Sequence, residues 1–177
     1  RFVISDDLNF AWAHDPDLTN GITTSGRNGQ YFHLYNRVAA AFQVKPKLGL
    51  EASWGLRGID YDLAAISASE NRLSHLIGLQ IRRQLGEKTA VLAAARYGRV
   101  DFDAAPRDSD STYFLAGIER ALSNRATFSA LAGIENRSIG GQDFNDPYAE
   151  TSMNFKISDQ TQLAWIGHVG YDENELF

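Results

Sequence analysis

The feature that most constrains the fold is an alternation of apolar and polar residues, kept over most of the 177 residues. After Pro46, for example, apolar side chains stand at every second position from Leu48 to Leu56, and Glu51 and Ser53 lie between them. A period of two places successive side chains on opposite faces of a strand, whereas an amphipathic helix repeats every 3.6 residues. The pattern therefore predicts an all-β chain.

Short polar connectors recur roughly every 35 to 41 residues, and each separates two alternating segments of about 11 to 14 residues. These connectors begin at Val44, Leu85, Leu122 and Ile157. Longer polar stretches join one such pair to the next, at residues 14–28, 62–71, 103–110 and 138–147. With one more alternating segment at residues 2–13, the sequence predicts about nine long antiparallel strands in an up-and-down meander. We expect residues 1–177 to belong to one domain.

Composition narrows the possible functions. No run approaches the about 20 apolar residues that a spanning helix needs, and a hydrophobic fraction of 44% suffices for a packed core. The net charge of -5 argues against a nucleic-acid partner. There is no cysteine, the four histidines lack metal-ligand spacing, and no G-x-S-x-G motif is present. We therefore expect no catalytic residue, no metal site and no cofactor, although a hydrolase embedded in a barrel stays open.

Alternation alone leaves open which face meets the core. A soluble barrel turns its apolar face inward, and an outer-membrane barrel turns it towards lipid. Three features favour lipid: strands longer than the about 5–6 residues usual in globular sheets, short turns alternating with long loops, and a polar face that mixes both charges with Gly and Ser. The sequence thus favours a transmembrane β-barrel in the bacterial outer membrane, with a soluble ligand-binding barrel as an alternative.

In a membrane barrel the two faces have different roles. The polar face is predicted to line a lumen through Arg37, Glu51, Arg57, Arg82, Glu119, Glu135, Arg137, Glu150, Lys156 and His168. The apolar face is predicted to meet lipid and its interfaces, with Trp12, Trp54, Leu79, Tyr97 and Trp165 as markers. The segment from Thr89 to Phe102 is rich in alanine, and its register is ambiguous. Asn36 stands in the middle of an apolar row, where the pattern does not account for it.

Carboxylates cluster where the strands meet the longer connectors. They are Asp15, Asp17, Asp60, Asp62, Asp101, Asp103, Asp108, Asp110, Asp143, Asp146, Asp172, Glu173 and Glu175. The favoured interpretation is a set of solvated loops that resist aggregation. The alternative is a rim that binds divalent cations and bridges lipopolysaccharide, because hard cations prefer several oxygen ligands. The expected partners are outer-membrane lipid or lipopolysaccharide together with small solutes or polysaccharide, and the oligomeric state stays open.

The repeated unit of strand, short turn, strand and acidic loop resembles Gram-negative outer-membrane β-barrel proteins. It is most similar to β-barrel porins of the exopolysaccharide-associated type. The resemblance is carried by residues 58–62, 98–103 and 167–172, where a Gly precedes an aromatic residue and Asp as the strand meets its loop. It implies a passive porin or an export conduit, with polysaccharide as a candidate solute.

The resemblance has one departure. Bacterial barrels of a single chain have an even number of strands, and such barrels usually end in a strand that closes on an aromatic residue. Here nine strands are expected, and the acidic run before Phe177 reads as the start of a loop. We therefore expect a segment of a larger barrel that continues beyond Phe177.

The width of that barrel decides between two functions. In a wide barrel the charged inner residues would set the selectivity of a channel. In a narrow barrel they would pair into a plug, because unpaired buried charges are costly. A passive porin or export conduit is the favoured function, and a structural or adhesive barrel with a filled interior is the alternative.

Overall fold

The computed structural model describes residues 2–14, 30–103, 108–158 and 161–170. Within these ranges nine strands form one sheet in chain order, each antiparallel to the next. The strands are β1 (Phe2–His14), β2 (Gln30–Lys45), β3 (Leu48–Tyr61), β4 (Arg72–Gln84), β5 (Thr89–Phe102), β6 (Ser109–Ala121), β7 (Ala126–Ile139), β8 (Gln142–Lys156) and β9 (Gln162–Val169). The prediction of an all-β meander of nine long strands is confirmed.

The sheet curls into a half-barrel. Arg96 on β5 contacts Glu150 on β8 at 2.6 Å, although three strand spacings in a flat sheet would separate them by about 14 Å. We call the face that carries these two residues the inner face. The opposite, outer face carries large apolar side chains that stay exposed, such as Leu79 at 47% and Phe114 at 53%.

Two glycines let β6 and β7 bend together. Gly117 pairs with Leu131, and Gly133 pairs with Leu115. A Cβ atom on Gly117 would lie 1.9 Å from the carbonyl oxygen of Ala130, and one on Gly133 would meet a carbonyl oxygen at the same distance. Glycine inside a strand permits such close backbone approach and sharp sheet curvature. The bend at this hairpin therefore depends on both residues lacking a side chain.

The connector at residues 138–147 is a tight hairpin, so the prediction of a long loop there is wrong. β7 continues to Ile139, which pairs with Gln142, and only Gly140 and Gly141 remain in the turn. Their φ angles of 56° and 82° are left-handed, as a two-residue turn between twisted strands requires. The polar residues that resemble a loop in the sequence form an exposed strand end. The alternation of short turns and long loops fails at this position.

Two other connectors also depart in detail from the prediction. The turn after β2 contains only Pro46 and Lys47, next to a register shift between Gln43 and Lys45. The stretch at 62–71 includes a short helix, α1 (Ala64–Glu70). No helix within the described ranges combines the length and apolar character needed to cross a membrane. We call the end of the sheet that carries α1 the loop end, and the end that carries Pro46 and Lys47 the turn end.

Several predicted features lie outside the described residues. These are the carboxylates Asp15, Asp17, Asp172, Glu173 and Glu175, and the last two residues of the 167–172 motif. The predicted continuation of the barrel beyond Phe177 likewise stays a prediction.

Candidate functional site on the inner face

A polar network crosses the inner face from β5 to β8. The guanidinium of Arg96 donates hydrogen bonds to both carboxylate oxygens of Glu150, at 2.7 and 2.6 Å. The hydroxyl of Tyr148 donates to the same carboxylate at 3.2 Å. The side chains of Arg96 and Glu150 are only 16% and 18% exposed. In a bidentate pair the two charges compensate each other and both carboxylate oxygens accept a hydrogen bond. Such a pair can therefore persist where little water reaches it.

A second carboxylate, Glu135, lies deeper and nearer the β7–β8 turn. Its Oε1 atom accepts hydrogen bonds from Ser111 Oγ at 2.9 Å and from the Tyr113 hydroxyl at 3.0 Å. Arg137 lies 4.0 Å from the same oxygen and 3.4 Å from Asp146. Glu135 is 2% exposed, and its Oε2 atom has no hydrogen-bond partner among the residues placed in the structure. Desolvating that oxygen costs free energy, which the surrounding packing must offset.

Apolar packing encloses both networks. The cluster consists of Leu92, Ala94, Tyr113, Leu115, Leu131 and Tyr148, all buried. The rings of Tyr113 and Tyr148 meet edge to face, with centroids 5.1 Å apart, and each hydroxyl reaches one of the two carboxylates. We call the inner face of β5–β8 the closed region, because its side chains are packed against each other.

On the inner face of β1–β4, the open region, the charged side chains are more exposed. Arg37 donates to Glu51 at 2.8 Å, and their side chains are 45% and 36% exposed. At the border between the two regions, Arg82 on β4 reaches Glu119 on β6 at 2.6 Å, with side-chain exposures of 45% and 29%. Ion pairs this exposed add little to stability, but they present their charges to whatever fills the space in front of them.

A cavity of about 430 Å³ lies between the two regions. On one side it is lined by Tyr35 and Arg37, and on the other by Glu150 and His168. Residues from β2 and from β9 border the same space because the sheet curls around it. Among the residues described, no group of three or more His, Asp or Glu side chains is placed to hold a metal ion.

All ten predicted lumen residues lie on the inner face. The structure brings together Arg37 with Glu51, Arg82 with Glu119, and Glu135 with Arg137. Arg57 and His168 line the cavity, and Lys156 lies exposed at the turn end of β8. That this face borders a water-filled lumen stays a prediction.

The five predicted lipid-facing residues lie on the outer face. Their exposed fractions are 66% for Trp12, 40% for Trp54, 47% for Leu79, 43% for Tyr97 and 56% for Trp165. That they meet lipid stays a prediction. The structure also accounts for Asn36, because its side-chain amide donates to Asp6 at 2.8 Å across the β1–β2 pair.

Sequence reasoning missed the centre of the network. Arg96, Tyr113 and Tyr148 were not among the candidates, although each contacts a candidate carboxylate. A signal for Arg96 was present: Tyr97 was predicted to face outward, so its neighbour in a strand must face inward. For the two tyrosines the pattern places the side chain on the inner face but does not indicate a partner.

No family model matches the chain, and no curated protein matches it. A solved structure, the TodX deltaS2S3 mutant of a monoaromatic hydrocarbon channel, resembles this fold with a TM-score of 0.39 at 13% sequence identity. The match covers 99% of this chain and 65% of that channel, so the chain spans less than two thirds of the channel's length. A structural similarity with so low a TM-score and sequence identity supports no conclusion about family or function.

Proposed function

We propose that this chain is part of the wall of a bacterial outer-membrane β-barrel that acts as a passive channel. The observation that carries the proposal is the outer face, on which every strand from β1 to β9 exposes large apolar side chains. Soluble monomers rarely expose a contiguous apolar surface beyond a few hundred Å². Exposing apolar side chains to water costs free energy, and contact with lipid in a bilayer removes that cost.

The height of the apolar belt supports a bilayer. On β6 the outer row between the charged residues Asp110 at the loop end and Arg120 at the turn end consists of the uncharged residues Thr112, Phe114, Ala116 and Ile118. Ten residues of strand span about 34 Å, or about 26 Å of height at a tilt of about 40°. Transmembrane barrels carry an outward apolar band of about 25 Å. The two charged residues would therefore lie at the two interfaces.

The open edges of the sheet support a larger barrel. Among the described strands, β1 and β9 each have one neighbour only. A strand edge inside a bilayer must have its N–H and C=O groups satisfied, because no water reaches them. The proposal therefore includes further strands that close the barrel, in agreement with the expectation that the barrel continues beyond Phe177.

The open region supports a conducting interior. The pairs Arg37–Glu51 and Arg82–Glu119 keep more than a quarter of each side chain exposed. Water in front of these side chains would avoid the cost of desolvating their charges. The closed region favours the alternative of a filled structural barrel, so conduction is the property that separates the two functions.

The decisive experiment uses the complete protein in a Gram-negative host. We expect it to fractionate with the outer membrane, to change mobility on SDS gels between unheated and boiled samples, and to conduct ions in planar bilayers. A soluble protein with no mobility shift would contradict the membrane barrel. An inserted barrel that shifts on heating but does not conduct would favour the structural or adhesive function.

A finer proposal names polysaccharide as the solute. Its support is the resemblance of the strand–loop junctions to exopolysaccharide-associated barrels. The test is release of fluorescent dextran from vesicles that contain the purified protein, with vesicles lacking the protein as the control. Retention of dextran by vesicles that still pass KCl would reject the polysaccharide and keep the channel.

A further inference from the structure

We infer that the charges on this channel wall compensate each other, so that small neutral solutes and ions of either sign pass with little discrimination. Arg37, Glu51, Arg96 and Glu150 are the residues that keep the selectivity low. The inference rests on the proposed channel function and specifies the solute class of the same inner face.

The wall of the cavity holds equal numbers of opposite charges. Its lining includes the arginines Arg37, Arg57 and Arg96 and the carboxylates Asp7, Glu51 and Glu150. The signs are interleaved around the curl, because Asp7 on β1 is opposite Arg37 on β2, and Glu51 on β3 follows. They do not gather on two opposing sides of the cavity.

The pairs are close enough to cancel each other at a distance. Arg37 and Glu51 are 2.8 Å apart, and Arg96 and Glu150 share two bonds of 2.7 Å or less. A mobile ion at about 10 Å meets both charges of such a pair at nearly equal distance, so their Coulomb terms largely cancel. Screening in physiological salt, with a Debye length of about 8 Å, removes most of the remainder. Channels that select by charge instead use rings of one sign.

The same pairing continues outside the cavity. Arg82 bonds Glu119 at 2.6 Å on the turn-end side of the inner face, so the balance extends along the wall. Small side chains, including Ser53, Gly55 and Gly78, separate the pairs within the cavity. They leave room for a solute without adding a charge that would attract or repel it.

The test measures the reversal potential of the complete protein in planar bilayers across a tenfold KCl gradient. We expect a value close to zero for the unmodified protein. Glu51→Gln should shift the permeability ratio towards chloride and Arg37→Gln towards potassium, each on the order of two- to fourfold for one uncompensated charge near a hydrated path. The double variant should return to the starting ratio. Arg120→Gln, on the outer face, is the matched control and should change nothing.

Three outcomes separate the inference from the function that it rests on. A strong ion preference in the unmodified protein, or a Glu51→Gln variant with an unchanged ratio, overturns the inference and leaves the channel intact. An inserted, heat-modifiable barrel without conductance overturns the channel and the inference together. Because a change at Glu150 would also disturb the closed region, the exposed pair Arg37–Glu51 provides the deciding measurement.

Discussion

The closed and open regions of the inner face contain the same chemical pair in two different environments. Arg96 and Glu150 share two short hydrogen bonds and are less than a fifth exposed. Arg37 and Glu51 share one bond and are more than a third exposed. The first pair joins β5 to β8 across the curl, whereas the second joins the adjacent strands β2 and β3. Residue type therefore does not decide whether such a pair links distant strands or lies exposed to solvent. The curvature of the sheet decides it.

The two regions also differ in what surrounds their glycines. In the closed region a Cβ atom on Gly117 or Gly133 would collide with a backbone carbonyl oxygen at 1.9 Å. On the open side, a Cβ atom on Gly49 would meet its nearest neighbour at 3.8 Å, an ordinary contact, and one on Gly78 would meet only the movable hydroxyl of Ser53, at 2.8 Å. The β6–β7 hairpin therefore has two positions where any side chain would meet backbone, and it lies between β5 and β8, whose Arg96 and Glu150 meet across the curl.

The largest expected effect comes from removing that bend. Gly133→Ala should abolish the folded barrel, because overpacking costs about 1–3 kcal/mol even where side chains can yield, and here a backbone oxygen must move. Gly49→Ala is the control and should fold normally. The heat-dependent mobility shift after refolding measures both variants. A Gly133→Ala protein that folds like the unmodified one would show that the bend does not depend on this glycine.

The next effect comes from breaking the buried pair. Glu150→Ala leaves the Arg96 charge buried without its main partner, which typically costs about 3–5 kcal/mol. Glu51→Ala in the open region should cost about 0–1 kcal/mol, because exposed pairs contribute little. Urea unfolding in phospholipid vesicles measures the free energy of both variants. Equal losses would mean that the two regions do not differ in the way their exposures indicate.

A new charge should distinguish the outer and inner faces of β4. Leu79→Arg places a cation in the outer apolar belt and should cost about 2–4 kcal/mol at the middle of a bilayer. Gln80→Arg places the same charge on the inner face, beside the cavity, and should be mild. The unfolding assay used for Glu150 compares them. Similar costs at the two neighbouring positions would contradict the assignment of the faces.

The smallest effect is the salt response of the exposed pair Arg82–Glu119. A double-mutant cycle with Arg82→Gln and Glu119→Gln should give a coupling of about 0.2–1 kcal/mol at low salt. Raising the salt to about 1 M shortens the Debye length to about 3 Å and should remove most of that coupling. The Arg96–Glu150 cycle should keep its coupling. A salt-insensitive Arg82–Glu119 pair would place it with the closed region.

The one long connector that was wrongly predicted shows where pattern reading fails. Residues 142–146 are polar except for Phe144, and this polarity alone predicts a loop. Gly140 and Gly141 carried the opposite signal, because two consecutive glycines permit the left-handed φ angles of a two-residue hairpin. Turn chemistry, not polarity, determined where β7 ended.

Alternation along the chain determined the succession of nine strands and the face that each side chain occupies, because side-chain direction in a strand follows from the position in the sequence alone. It could place Glu150 on the inner face and, through Tyr97, Arg96 as well. Only the tertiary structure brought these two together across 54 residues of sequence, and with them Tyr113 and Tyr148. The physical reason is that curvature is a property of the whole sheet: it depends on how closely β6 and β7 can approach at Gly117 and Gly133, and it determines which inner faces exclude water.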